Sequence, residues 1–324
     1  MPDDHDPRGE DGGPSQEPLL REAASPLQPG GSDCLAAFNQ HRGLLLSVAY
    51  RMLGSRADAE DMVQETFLRW QRASAAEVRD PRAFLVTVIT RLCINQSQSA
   101  RVKREQYFGY WLPEPLLTGT GVEPSMPGID GSLSMAFLIL LERLTPMERA
   151  IFLLREVFDY EYREIAAMVG QNEANCRQGL RRARQHVTED RPRFEASKER
   201  QERLLQQFLE TTKQGDMQGL LALLSEDVVL YTDGGGKASA VPNPIYGADH
   251  VARFFLAAPG KLMPGDVVRC FAEINGQPGI VVFHEGKVYG VLALDVAGGL
   301  IRNIYIVRNP DKLRRLPNLP SPPC

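Results

Sequence analysis

The chain has 324 residues, enough for two or three domains, and its 43% apolar content is that of a protein with real cores. A net charge of −4 excludes a chain that coats nucleic acid over its whole surface, so any basic face must be local. The cysteines Cys34, Cys93, Cys176, Cys270 and Cys324 have no paired spacing. That argues against a zinc site or a disulfide framework and fits a reduced cytosol, while the polar opening and the lack of a ~20-residue apolar run argue against a signal peptide or membrane span.

Residues 1–32 are rich in Pro, Gly, Asp, Glu and Ser and read as a disordered tail. From about 33 to 110 the chain reads as helical. Phe38, Leu45, Leu46, Ala49, Met52 and Leu53 form one stripe that ends at Gly54. Ser55 and Asp58 stand at capping-box spacing before a helix that turns Ala59, Met62, Val63, Thr66, Phe67 and Trp70 inward. Asp61, Gln64 and Glu65 lie on its opposite side: a solvated face, a pair of carboxylates in want of a cleft, or a docking face for a basic partner. A polar loop, Arg72 to Asp80, precedes a helix that buries Phe84, Leu85, Val88, Ile89, Leu92 and Cys93. The end of that helix is polar and basic (Arg91, Asn95, Arg101, Lys103), and aromatics through Trp111 follow it. Cations beside rings suit single-stranded nucleic acid, whereas ordinary packing is the better reading of Trp111.

Residues 111–131 read as a Pro/Gly-rich linker, and 132–190 as a helical unit. Thr145, Pro146 and Glu148 make a helix start of the capping-box kind. A short helix with Ile165, Ala166 and Val169 inward stops at Gly170, and Asn172 caps the next, whose apolar stripe is Cys176, Leu180, Ala183 and Val187. Its other face shows Asn175, Arg177, Gln178, Arg181, Arg182 and Arg184. Two short helices about a glycine turn, the second presenting Arg, Asn and Gln, form a helix-turn-helix for the major groove. Arg and Gln pair with guanine and adenine edges, and further Arg neutralises phosphates. Gly179 interrupts this helix at a cost of about 1 kcal/mol relative to Ala. It either lets DNA approach the backbone or only weakens the helix.

Residues 197–315 change character. A helix with Leu204, Leu205, Phe208 and Leu209 inward and a shorter one from Met217 lead into strands at Val228–Thr232, Val267–Ile274, Gly279–His284, Val288–Val296 and Leu300–Val307. Asn275-Gly276, Glu285-Gly286 and Gly298-Gly299 supply hairpin turns. Helices leading into a curved antiparallel sheet read as α+β, with residues 316–324 a second tail. Asp233, Asp249, His250 and His284 are the available acid–base residues, but no spacing forces them together. Asp233 to Lys237 lacks the glycine spacing and the Ser or Thr of a phosphate loop and reads as a flexible turn.

The helix Asp58–Trp70 with the segment Pro81–Gln96 resembles region 2 of bacterial sigma factors, and residues 144–187 resemble region 4, with only a linker between. That layout resembles the extracytoplasmic-function sigma factors. WLPEP (Trp111–Pro115), DGGGK (Asp233–Lys237) and NPDKL (Asn309–Leu313) resemble the subgroup with a C-terminal SnoaL-like domain. The resemblance implies a multidomain chain, two all-α sigma domains plus an α+β cone that encloses a pocket, and a cytoplasmic, non-enzymatic protein without metal or cofactor. Its partners would be core RNA polymerase and double- and single-stranded promoter DNA, with a small molecule conceivable in the pocket. By the same resemblance, Asp61, Gln64 and Glu65 face the clamp helices of the polymerase largest subunit. The loop from Arg72 captures a flipped minus-10 base, Arg91, Asn95, Arg101 and Lys103 lie beside the melted strand, and Glu173, Asn175, Arg177, Gln178, Arg181 and Arg182 read the minus-35 element. Trp111 and Glu114 of an exposed, semi-rigid linker are expected to meet Asp233 and Lys237, with Asn309, Asp311 and Lys312 also regulatory. The rival readings are a ligand-sensing repressor or activator, and a cyclase fused to a DNA-binding module. The Asp61/Gln64/Glu65 face speaks against both.

Overall fold

The computed structural model describes residues 31–73, 78–105, 107–118, 133–188, 197–257 and 264–318. The two tails, most of the loop after Ala73 and residues 119–131 of the linker therefore fall wholly or largely outside the described residues. The chain opens with helices α1 (Gly31–Leu53), α2 (Arg56–Arg72) and α3 (Pro81–Glu105). Gly54 ends α1 at φ +65°, and Ser55 caps α2 by accepting from the Asp58 amide at 3.2 Å. The helices α4 (Met135–Leu141), α5 (Pro146–Glu156), α6 (Tyr162–Val169) and α7 (Glu173–Thr188) follow. Thr145 and Glu148 form the expected reciprocal capping box on α5, with Pro146 in its first turn. Gly170 leaves α6 at φ +70°, a left-handed conformation that suits glycine. Asn172 then accepts from the Asn175 amide at 2.8 Å to start α7.

These seven helices share one core. Leu45, Ala49, Val63, Leu85 and Ile89 of the first three pack in the same apolar cluster as Leu138, Ile151, Ile165, Cys176 and Leu180 of the last four. Arg149, on α5, is buried between them; its Nη1 donates to the Met52 carbonyl and to Glu142 Oε1, each at 2.7 Å. Burial pulls its pKa down to about 10, so it stays charged at neutral pH. The sequence predicts two helical units held apart by a linker; the structure joins them.

The C-terminal unit comprises α8 (Lys198–Gln214), α9 (Met217–Leu223), β1 (Leu224–Asp233), β2 (Ile245–Tyr246), α10 (Ala248–Ala257), β3 (Val268–Ile274), β4 (Gln277–His284), β5 (Lys287–Ala297), β6 (Leu300–Val307) and α11 (Pro310–Leu313). Its sheet has the order β2-β1-β6-β5-β4-β3. Hairpin turns make the β3-to-β6 pairs antiparallel, while β1 runs parallel to β6, which only a long connection permits. Alternation on β4 divides the sheet's faces. Ile280 and Val282 pack with Leu205, Phe208 and Phe255 of the domain's own helices. Val281 and Phe283 pack on the other side with Leu112, Leu117 and Met135.

The described part of the linker, residues 111–118, is thus a buried strap. Leu112, Pro113, Glu114, Pro115, Leu116 and Leu117 are all buried, and Leu117 bridges to Ile274. Its prolines read as a spacer, but Leu112 and Leu117 supply apolar surface that the second face of the sheet removes from water, while Leu116 packs into the core of the helices. Leu316, expected in a tail, is buried in the same cluster.

Candidate nucleic-acid and partner interfaces

On α7 the stripe Cys176, Leu180, Ala183 and Val187 is buried as its periodicity requires, which turns Asn175, Arg177, Gln178, Arg181 and Arg182 outward. Glu173 holds Arg177 at 2.7 Å, and that guanidinium lies 4.8 Å from the Tyr162 ring centroid. Arg182 is committed within the protein: its Nε donates to Glu148 Oε1 at 2.9 Å. Burial pushes the Glu148 carboxyl up, but hydrogen bonds from Thr145 and Arg182 prevail and hold it below its ordinary value. Gln178 and Arg181 are the exposed centre of the face. Gly179 is buried on the side of the helix that faces α5, not on the outward face. A Cβ there would stand 2.9 Å from Ile151 Cδ1, so its size lets α7 lie close on α5.

On α2, Asp61 and Gln64 are exposed, and the partly exposed Glu65 accepts from Arg69 Nε at 2.9 Å. Of the loop that follows, residues 74–77 lie outside the described residues, while Asp80 caps α3 through the Ala83 amide at 3.1 Å. Asn95 is exposed on α3, and the side chains of Arg101 and Lys103 lie outside the described residues. Arg91 departs from the expectation of a surface kept for DNA. Its Nε donates to the Met168 carbonyl at 2.7 Å and its Nη2 to the Ala167 carbonyl at 2.8 Å. These carbonyls end α6, where a helix lacks internal donors and favours a cation. Arg51 over Phe158 and Arg82 over Tyr160, at 5.6 and 5.4 Å, reinforce the same junction.

The segments WLPEP, DGGGK and NPDKL come together. Asp233, at the end of β1, is 1% exposed. Its Oδ1 accepts from Tyr107 Oη at 2.6 Å and the Gly235 amide at 3.0 Å. Its Oδ2 accepts from the Leu112 amide at 2.9 Å and Lys312 Nζ at 2.6 Å. Lys312 also donates to the Leu112 carbonyl and lies 4.4 Å from the Trp111 ring centroid. Asn309 Nδ2 donates to Tyr107 Oη at 2.7 Å, while the amides of Arg308 and Asn309 bond the Asp233 carbonyl at 2.7 and 3.0 Å. Burial, then Asp233, pushes the Tyr107 phenol well above its ordinary value, which keeps it a donor. Lys237 joins Asp311 at 2.5 Å at the exposed edge. The DGGGK turn thus holds its acid inside rather than on a free loop.

The strap continues to α2. Trp111 is half-buried rather than exposed, and its ring covers Gly54, where a Cβ would lie 2.6 Å from Trp111 Cη2. Glu114, 4% exposed, accepts the Arg56 amide at 2.9 Å through Oε2, and its own amide donates to the Gly54 carbonyl at 2.8 Å. It sits at the amino end of the helix that bears Asp61, Gln64 and Glu65. Sequence reasoning missed Tyr107, which was visible only as one aromatic in a run.

The acid–base candidates are dispersed. Asp249 pairs with Arg253 at 2.7 Å, His250 Nδ1 lies 3.1 Å from the Tyr246 carbonyl, and His284 Nδ1 lies 3.0 Å from Asp266.

Comparison with known proteins agrees with this arrangement. Residues 37–102 match the Sigma-70 region 2 family and residues 134–187 the Sigma-70 region 4 family. The chain is 33% identical to the ECF RNA polymerase sigma factor SigJ of Mycobacterium tuberculosis, over 87% of this chain and 92% of that protein. It is 32% identical to the probable ECF RNA polymerase sigma factor SigI of the same organism, over 86% and 94%. The crystal structure of the M. tuberculosis SigJ superposes with a TM-score of 0.69 at 32% identity, covering 87% of this chain and 98% of that one. The chain belongs to the extracytoplasmic-function RNA polymerase sigma factors, in the form that carries a SnoaL-like C-terminal domain.

Proposed function

We propose that this alternative sigma factor rests in a closed form, and that its C-terminal domain holds it closed through the Asp233 junction. The minus-35 and minus-10 elements are named for positions about 25 base pairs apart, roughly 85 Å of duplex at ~3.4 Å per base pair. Region 4 cannot read one while region 2 opens the other if Arg91 on α3 still grips the end of α6. Promoter engagement therefore separates α3 from α6.

In the open form Gln178 and Arg181 read base edges, with Asn175 and Arg177 beside them, and Glu173 orients Arg177. Arg182 leaves Glu148 to meet a phosphate. Arg91, once released, joins Asn95, Arg101 and Lys103 beside the melted strand, and the loop from Arg72 to Asp80 takes the flipped base. Asp61, Gln64 and Glu65 dock on the clamp helices of core polymerase. The C-terminal domain binds rather than catalyses, and the work is done in the cytoplasm, where polymerase and promoter are.

The observation that carries control in cis is the buried Asp233 carboxylate, shared by Tyr107, Leu112 and Lys312. It locks the strap, and the strap holds α2 through Glu114. A tethered contact acts at high effective concentration, so a modest interface suffices. The test is transcription in vitro from a genomic promoter library with core enzyme, comparing the full chain with Asp233→Asn and Lys312→Met. Both variants are expected to bind core enzyme more tightly and to give more transcript. Output equal to the parent chain from both would reject control through this junction.

A further inference from the structure

The C-terminal domain encloses a cavity of about 420 Å³, within the size range of small-molecule sites. Phe208, Phe255, Ile280, Val282, Leu292 and Ile306 make its lining apolar. Among the described residues, the charged ones that border it are Lys213, Arg269 and Arg308, against a single carboxylate, Glu210. Lys213, Arg269 and Glu210 are exposed and Arg308 is half-buried, so polarity rises from floor to mouth. Arg308 is held in place on two sides. Its guanidinium carbon lies 4.2 Å from the Tyr289 ring centroid, and its Nη1 donates to the Ser239 carbonyl at 3.0 Å. A planar fork fixed in this way is a pre-organised receptor for a carboxylate.

The same wall runs without interruption into the Asp233 junction. Thr232 lines the cavity and its chain neighbour is Asp233; Arg308 lines it and its neighbour is Asn309. Ser239, Ala240 and Val241 also line it, and the Thr232 hydroxyl bonds the Val241 carbonyl and amide at 2.9 and 2.8 Å. Three chain segments therefore pass from cavity to junction within one or a few residues. Asp233, Asp249, His250 and His284 do not line the cavity, and among the described residues its one carboxylate is at the exposed mouth. Such a lining can hold a molecule but offers no buried acid–base pair to transform it.

We infer that the cavity binds an amphipathic small molecule with an apolar body and one anionic head, and that occupancy is transmitted to the Asp233 junction. The body fills the space among Phe208, Phe255 and Leu292, and the head meets Arg308. The transmission half of the inference rests on the proposed control in cis; the binding half does not.

The test uses the full chain without polymerase or DNA. Decanoate, decanol and decylamine share an apolar body and differ in the head. Binding is followed by displacement of the fluorescent probe 1-anilinonaphthalene-8-sulfonate and by calorimetry. Decanoate is expected to bind at least about tenfold more tightly than decanol, with decylamine weakest, as for a charge-assisted hydrogen bond. Arg308→Gln should abolish that preference while leaving decanol binding unchanged. Ala240→Trp, which fills the cavity, should abolish binding of all three while thermal unfolding stays cooperative. Equal affinity for the three heads would overturn the anionic assignment, and failure of all three to bind the parent chain would overturn the site. Hydrogen exchange at the Leu112 amide, bonded to Asp233, reads transmission: decanoate should change its rate severalfold. Binding with an unaltered rate would overturn transmission, while the transcription test above judges control in cis by itself.

Discussion

Asn275 and Tyr50 stand 225 positions apart in the chain and meet in one buried hydrogen bond, from Asn275 Nδ2 to Tyr50 Oη at 2.8 Å. The hydroxyl in turn donates to the Glu114 carbonyl at 2.6 Å, and Asn275 Oδ1 accepts the Leu116 amide at 3.0 Å. One hairpin turn of the C-terminal sheet thereby fastens both α1 and the strap. Asn275 holds φ at +52°, a left-handed conformation that asparagine tolerates better than most residues. Asn275→Ala leaves a buried amide without its acceptor, at about 1–3 kcal/mol, and adds roughly 1–2 kcal/mol of backbone strain. Asn275→Gly should recover the backbone part only. Thermal unfolding and proteolysis within the strap measure both, and an Asn275→Ala protein as stable as the parent would contradict the assignment.

Glu114 gives a dependence on pH whose sign is fixed. Burial raises its pKa above the ordinary 4.5, against the opposing pull of the Ala57 and Arg56 amides. The native state thus holds this proton more tightly than the unfolded chain. Its contribution to stability is complete below pH 4.5 and is lost as pH rises through the folded value. Glu148 and Glu273, whose pKa values are lowered, act in the opposite sense but cancel between parent and variant. Glu114→Gln should therefore gain on the parent chain in urea midpoint as pH rises above the ordinary 4.5 and through the raised folded value. A difference that stays flat, or turns against the variant, would show that Glu114 is not buried as described.

Charge reversal at Asp61 and Glu65 tests the docking face. Neither side chain is in the core, and the exposed Glu65–Arg69 pair is worth about 0.3–0.5 kcal/mol. The double Lys variant should unfold like the parent and co-purify poorly with core polymerase. Recovery at the parent's yield would remove the assignment.

The recognition helix separates two kinds of arginine. Gln178→Ala and Arg181→Ala should each cost about 1–3 kcal/mol at the upstream element and relax its sequence preference. Arg182→Ala removes a residue tied to Glu148 in the free protein. It should weaken binding evenly across sequences and reduce the salt slope by about one. Footprinting against an upstream-element library distinguishes these outcomes.

The local rules of the chain were legible in its residues. The stripe of α7, the Thr145 capping box, Gly170 and the hairpin turns all stand where their spacing put them, because each depends on neighbours within a turn or two. The long-range joins were not legible. Tyr50–Asn275, Arg149–Met52 and Arg91–Met168 link residues tens to hundreds of positions apart, and periodicity shows which face is apolar but not what covers it. The strap failed for that reason: three leucines among prolines have no period, and the burial of Leu112 and Leu117 depends on a sheet more than a hundred residues away. The two-residue β2 is too brief for any pattern, whereas α10 places Val251, Ala252 and Phe255 at helical spacing and could have been read from it.

Arg91 closes the end of α6 with the same guanidinium that region 2 would offer to a melted strand. DNA phosphates and two helix carbonyls then compete for one cation. Thermodynamic linkage makes that competition reciprocal: the factor by which closure weakens the strand contact is the factor by which the strand weakens closure. Salt enters unequally, since it screens the phosphates far more than a hydrogen bond within the protein. A rise in ionic strength should therefore favour the closed chain whenever DNA is present, and leave its shape little changed when DNA is absent.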